Sequence, residues 1–381
     1  MVVGRCAQRV SVYARKSQMD INLTVFFRAV VEPACCMLRV CETIGAGCMK
    51  TTLSAWLLSS VMGCAVGAYV WHPAQAATFR SQPILLLGSA QVIATGINDQ
   101  GTIIGSTQTS QNGYGFVLQG ATLSTLPSAY PTAINQEGAV TGFSTSQGAG
   151  FLWENGAFVP NVNFQPGIFN GQRLGPVINR HGELAYSTSS GNTQLAFAGF
   201  PGHFHAQHKL SPDSAIVSSI NDHGEIAGFE HATIQGQLRE AVFAGKHGLF
   251  DLLLTPGNQN VEGGFVNNAG QVAFTDGVAG YLAANGAIVS FNVPSQGYNV
   301  QVQAINDKGR VVGVFVDGSQ TPPVQRGFFY NGSVVSVFGS YPATDIVKVA
   351  LNGHAAMVVS DIQSNGQSAV SFRVRCTGTG C

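Results

Sequence analysis

The densest group of potential metal ligands is His203-Phe204-His205-Ala206-Gln207-His208. On a strand, His203 and His205 point to one face. His208 enters the following loop, so two or three imidazoles could hold zinc or copper. Apart from Asp213, no carboxylate or thiol stands close by in sequence, and the competing reading is a solvated outer strand. The non-repeating carboxylates are Glu230, Glu240, Asp276 and Asp317. A glycan hydrolase or lyase needs two such groups brought together, and sequence position alone does not pair them. Tyr130, Tyr298 and Tyr341 stand in Ser/Pro/Gly-rich stretches. A tyrosine ring offers flat contact area at low entropy cost, which suits a sugar or peptide surface. The alternative is that each ring caps a cleft between structural units. Gly-x-Ser-x-Gly is absent, as is a glycine-rich phosphate loop ahead of a helix, so neither a catalytic residue nor a cofactor is assigned.

These residues need a scaffold, and a recurring phrase supplies it. Ile97-Asn-Asp-Gln-Gly-Thr-Ile-Ile-Gly105 returns from Ile134, Ile178, Ile220, Val266 and Ile305, with a worn copy from Leu351. Its asparagine falls at 98, 135, 179, 221, 267, 306 and 352. That is six steps over 254 residues, about 42 per step, which is a propeller or solenoid period. Asn followed by Gly between apolar β-branched runs reads as a hairpin turn, with Asn and Gly both tolerating positive φ. A second hairpin follows in each unit, best seen in Gly150-Phe-Leu-Trp-Glu-Asn-Gly-Ala-Phe158. Two hairpins give four strands, which make a propeller blade. The recurrence of Asp99, Asp222 and Asp307 inside the turns marks them as architectural. The expectation is an all-β propeller, most simply of seven blades. The lone strand in Phe79–Leu87 is expected to supply the missing outer strand of the last blade, so that the ring has no free seam.

The segments ahead of the repeats have another character. Residues 1–48 hold five of the eight cysteines and no copy of the phrase. Their spacing fits no zinc pattern, and they are read as an over-extended start or a disordered leader. Residues 49–76 read as a secretory signal: Lys50, an apolar run, then Ala74-Gln-Ala76 as a cleavage site. A lipoprotein anchor at Cys64 is the weaker alternative, since the following residues stay apolar. Residues 77–381 then form one repeat domain with twelve Lys/Arg against sixteen Asp/Glu. This acidic balance argues against nucleic acid as a partner. No membrane span is expected in that part, and a monomer is. Only Cys376 and Cys381 remain in it, and an oxidising compartment permits their pairing.

On the Ile-Asn-Asp-x-Gly-x-Val-Val-Gly phrases and on Gly150-Phe-Leu-Trp-Glu-Asn-Gly156, the chain resembles the extracellular repeat family named for its His-Ala-Phe tripeptide, the HAF repeats. The resemblance spans roughly Ala77 to the C-terminus. The tripeptide itself is missing; the equivalent positions read Tyr114-Gly-Phe116 and Arg326-Gly-Phe328. The resemblance implies export and a β-repeat fold, and supplies no activity.

In a four-stranded blade the first-to-second and third-to-fourth turns share one face of the ring. The tight Asn/Gly turns all fall in that set. The long connections, including Ser106–Gly113, Ser187–Gln194, Glu230–Arg239 and Asn292–Gln301, would gather on the other face, where repeat proteins bind. The functional expectation is a secreted non-enzymatic scaffold for a polysaccharide or surface protein on the long-loop face. The alternative is a propeller enzyme working at the channel mouth.

Overall fold

The computed structural model describes residues 43–44, 47–48, 77–86, 91–108, 113–144, 148–160, 162, 164–169, 172–173, 175–190, 193–206, 215–234, 237–246, 249–253, 261–294, 297–339, 344–363, 369–378 and 381. The chain divides into two compact units, Met1–Trp71 and His72–Cys381. In the first, the described residues are one antiparallel pair, Thr43–Ile44 with Gly47–Cys48.

The second unit is a seven-bladed β-propeller. Seven four-stranded antiparallel sheets occupy residues 91–127, 129–158, 177–206, 215–253, 262–291, 297–338, and 344–377 joined by Thr78–Ile84. They are numbered here as blades 1 to 7. Six of them are simple meanders. In blade 7 the fourth strand is Thr78–Ile84, which pairs along its whole length with Ala369–Thr377, from Thr78 opposite Thr377 to Ile84 opposite Ser371. The outer strand expected from the N-terminal stretch is therefore in place. A two-stranded hairpin, Ile168–Phe169 with Gln172–Arg173, lies between blades 2 and 3 in the chain.

The apolar runs divide into seven buried clusters, one for each contact between neighbouring blades. Val312, Phe329 and Met357 join blades 6 and 7, and Ala94, Phe116 and Val358 join blades 7 and 1. The inner strands are covered on both faces, so runs such as Val311–Asp317 need no alternation.

The repeated phrase has a physical reason at each of its fixed positions. Its first glycine takes positive φ, from +70° at Gly309 to +88° at Gly138, as the hairpin with a left-handed fourth position requires. The asparagine does not take positive φ, contrary to the expectation; it is kept for hydrogen bonds described below. The second glycine (Gly105, Gly142, Gly228, Gly313) lies against a bulge in the first strand, where a Cβ would collide with the carbonyl oxygens of Ile93, Tyr130, Ile216 and Gln301. Blade 5 replaces that glycine by Phe274 and moves the glycines to its own bulge, Gly263-Gly264, both at positive φ.

Two connections read as long loops are corrected. Leu184–Ser190 pairs with Thr193–Phe200 up to Ser190 opposite Thr193. Ile226–Ile234 pairs with Gln237–Lys246 up to Ile234 opposite Gln237. Polar residues that resembled loop composition are hairpin arms running out past the ring wall. Blades 1 and 2 are joined through Ser128 alone.

Candidate functional site

The channel carries one polar mouth built by the seven turns. Asn98, Asn135, Asn179, Asn221, Asn267, Asn306 and Asn352 are all buried. Each Nδ2 donates to the backbone carbonyl of the next asparagine, at 2.9–3.1 Å, and Asn352 returns to Asn98. Each Oδ1 accepts the backbone N–H four residues on, at 2.8–3.1 Å, which fixes its own turn. Every asparagine thus holds its hairpin with one side-chain atom and its neighbour with the other.

A second, outer circuit uses the following residue. Gln136 Oε1 accepts from the Asp99 N–H, Asp222 Oδ1 from Arg180, Asn268 Oδ1 from Asp222, Asp307 Oδ1 from Asn268, and Asp99 Oδ1 from Gly353. It breaks at Arg180 and Gly353, which offer no side-chain acceptor. Asn268 Nδ2 also bridges Asp222 Oδ2 and Asp307 Oδ2, at 2.9 and 3.0 Å. The mouth, about 360 Å³, is walled by these groups and by the isoleucines preceding the asparagines. The three recurrent aspartates are therefore working parts of the turns, in line with their reading as architecture.

The opposite face, where the first strands begin, carries the non-repeating groups. His231 Nε2 stands 3.3 Å from Glu240 Oε1. The two are cross-strand partners in the blade 4 hairpin, and Glu230 is buried beside them. Glu262 opens blade 5; partial burial of its carboxyl, and then the charge of Glu240, push its pKa up. Asp276 accepts the N–H groups of Val278 and Ala279 and the Tyr281 hydroxyl, the last at 2.6 Å. Burial, and next that hydrogen bond, push the Tyr281 phenol up to about 12. Asp317 is held below the usual carboxylate range by the Ser319 hydroxyl first, despite some desolvation, and also by Arg326. Arg326 Nε lies 2.7 Å from it and Nη1 reaches the Gly339 carbonyl. On the inner wall, burial lowers the Lys348 ammonium, at a position where blades 1, 2, 4, 5 and 6 carry Ala94, Pro131, Val217, Gly263 and Val302.

The three tyrosines have different fates. Tyr130 is in the first strand of blade 2, stacked on Phe143 at 5.1 Å, with its hydroxyl bonded to Ser106 of blade 1. It bridges two blades, and burial raises its pKa. Tyr298 opens the first strand of blade 6 and is 49% exposed. The Gly277–Val300 bridge sets the Asp276–Ala279 turn of blade 5 beside that strand, and Val278 on the turn is 67% exposed. Tyr341 lies outside the described residues. Blades 2 and 6 are separated by blades 7 and 1, so Tyr130 and Tyr298 do not share a site.

His203 and His205 are exposed on the outer strand of blade 3; His208 lies outside the described residues. Among those residues, no group of three or more His, Cys, Asp or Glu could hold a metal ion. Cys376 and Cys381 form a disulfide with Cα atoms 5.7 Å apart. No described helix is long and apolar enough to cross a membrane. Sequence reasoning missed His231, Glu262, Val278 and Lys348, because only the hairpin registers and blade order give them neighbours.

No protein-family model matches the chain, and no curated protein matches it either. Among solved structures, it is similar to the β-propeller domain of the Trilobed protease from Pyrococcus furiosus, at 9% identity and a TM-score of 0.49, covering 75% of this chain and 97% of that one. It is also similar to YCF48 from Cyanidioschyzon merolae, at 11% identity and 0.48, covering 77% and 98%. A third is YCF48 bound to D1 peptide, at 10% and 0.48, covering 80% and 99%.

Proposed function

We propose that the ring is an exported, non-enzymatic binding scaffold whose ligand, a polysaccharide or a surface protein, rests on the face opposite the asparagine circuit. The observation that carries this reading is the exposure of Tyr298 and Val278, on two segments joined by the Gly277–Val300 bridge. Exposed aromatic and apolar area on a rigid frame is what a flat polymer or a protein epitope contacts. The carboxylates nearest that spot, Asp276 and Asp317, are already engaged with their own turns. Export rests on the signal-like residues 49–76, with the Cys376–Cys381 disulfide in agreement. Membership in the HAF repeats belongs to the same proposal and rests on the seven phrases.

The test is a thermal-shift screen of the purified protein against polysaccharides, peptidoglycan fragments and peptides. A ligand at a hundred times its Kd adds about 2.7 kcal/mol. The expected result is a hit that Tyr298→Ala weakens at least tenfold while the apo melting point stays put. A hit indifferent to Tyr298→Ala and Val278→Ser removes this face from the reading.

The second reading, a glycan hydrolase or lyase, draws on Asp222 and Asp307 at the channel mouth, which share Asn268 as donor. Both accept main-chain N–H groups, so each already serves its own blade-to-blade contact. Release of reducing ends from any polymer in the panel, abolished by Asp222→Asn, would replace the scaffold reading with this one.

A further inference from the structure

We propose that the seam between blades 7 and 1 is a binding site for a tetrahedral oxyanion, a phosphate or sulfate group, centred on Arg373. The closing strand and its partner bring three arginines together. Arg80 pairs directly with Arg375, and Gln82 with Arg373. Opposite residues of an antiparallel pair, and residues two apart on one strand, share a face. That face looks toward blade 1, because Ser371, in the same alternation, donates to the Val92 carbonyl and accepts from the Ala94 N–H.

Arg373 lines a cleft of about 370 Å³ together with Gln82, Gly101, Leu118 and Gly120 among others, with no carboxylate in its wall. The guanidinium of Arg373 lies against the blade 1 turn at Gly101, where an added Cβ would come within 2.6 Å of Nη2. Its Nε is buried and has no hydrogen-bond partner. Among the described residues, no ion pair involves Arg80, Arg373 or Arg375. Burial first, and then the neighbouring Arg375 charge, depress the Arg373 pKa.

A guanidinium whose buried Nε has no hydrogen-bond partner costs stability. Two further arginines at the same place raise that cost unless an anion offsets it. Guanidinium groups match tetrahedral oxyanions with paired N–H donors, and three of them favour a doubly charged group over a carboxylate. The cleft leaves space beside the anion for a carrier of about the size of one sugar ring. This site stands apart from the ligand face proposed above, near the turn side of the ring, and does not depend on it. It is assembled from two strands far apart in sequence, 78–84 and 369–377, which is why an overall acidic composition concealed it.

Isothermal titration of the purified protein with inorganic phosphate, sulfate and glucose 6-phosphate, against chloride at matched ionic strength, tests the proposal. The expected result is saturable one-to-one binding that Arg373→Gln weakens about tenfold or more. Arg80→Gln and Arg375→Gln should weaken it less, and Arg239→Gln in blade 4 should leave it unchanged. In anion-free buffer Arg373→Gln should melt no lower than the parent, since it removes an uncompensated charge. Preference for glucose 6-phosphate over inorganic phosphate would support the site and place a sugar carrier in the cleft; equal affinity would support it for the free anion. Binding no stronger than chloride's, or binding unaffected by Arg373→Gln, overturns it. A lower anion-free melting point for Arg373→Gln would also count against it, by making Arg373 a structural residue.

Discussion

At the scale of single residues, Glu262 gives the clearest pH signature. Its carboxyl is pushed up by burial and by Glu240. A carboxyl with a raised folded-state pKa favours its protonated form in the folded protein. Its contribution is fully present below the unfolded value and is lost as pH rises through the folded one. At pH 7 the charge therefore opposes folding. Glu262→Gln should melt higher than the parent at pH 7, and the difference should vanish near pH 4. Equal melting at both values would show that the two glutamates do not feel each other. Little of this was legible in sequence. The aspartates of the turns could be read because they repeat, and repetition marks architecture. His231, Glu240 and Glu262 occur once each, and become neighbours only through the blade 4 hairpin register and the packing of blade 5 on blade 4.

At the scale of elements, the hairpins were legible and their lengths were not. Asn155-Gly156 and Asn285-Gly286 both take positive φ at both positions, the turn their sequence signals. The stretch around His231-Ala-Thr-Ile234 reads as a loop because its composition is set by solvent on a projecting arm, where the hydrophobic pattern is absent. The closing strand was legible because it lacked a partner nearby in sequence. Its importance can be separated from that of the disulfide beside it, since Phe79 pairs with Cys376. Removing residues 78–84 leaves the outer edge of Ala369–Thr377 unpaired and opens the apolar packing around Phe79, Ile84 and Val374 to water. The truncated protein should lose its cooperative melting transition. Cys376→Ser with Cys381→Ser should keep the transition and cost about 2 kcal/mol, the chain-entropy value for so short a loop. Retention of a parent-like transition by the truncated protein would show that the ring holds without its outer closing strand.

At the scale of the whole molecule, the asparagine circuit makes the seven blades one object. The turn asparagines could be read as hairpin formers, but nothing local shows that each also donates to the next blade. Asn221→Ala removes the bond to the Asn267 carbonyl and leaves the N–H groups of His223 and Glu225 without their acceptor. Unsatisfied buried groups cost about 1–3 kcal/mol each, so a loss of about 3 kcal/mol or more is expected. The same substitution at Asn135, two blades away, should cost a similar amount, because the circuit has no privileged position. Calorimetry of the two variants checks this. A large loss at one site and none at the other would mean that the blades are held separately.

The position of the closing strand also sets a timetable. Thr78 and its partner Thr377 are 299 residues apart, and a ribosome adds roughly 5–20 residues per second. The strand thus emerges early and waits on the order of 15–60 s for the last residues of blade 7. Until then the nascent chain carries an open sheet edge, the feature that invites pairing with the wrong strand. A chain that stalls anywhere before residue 371 lacks the partner on which closure begins. Ring closure therefore reports that synthesis has passed the last strand of blade 7.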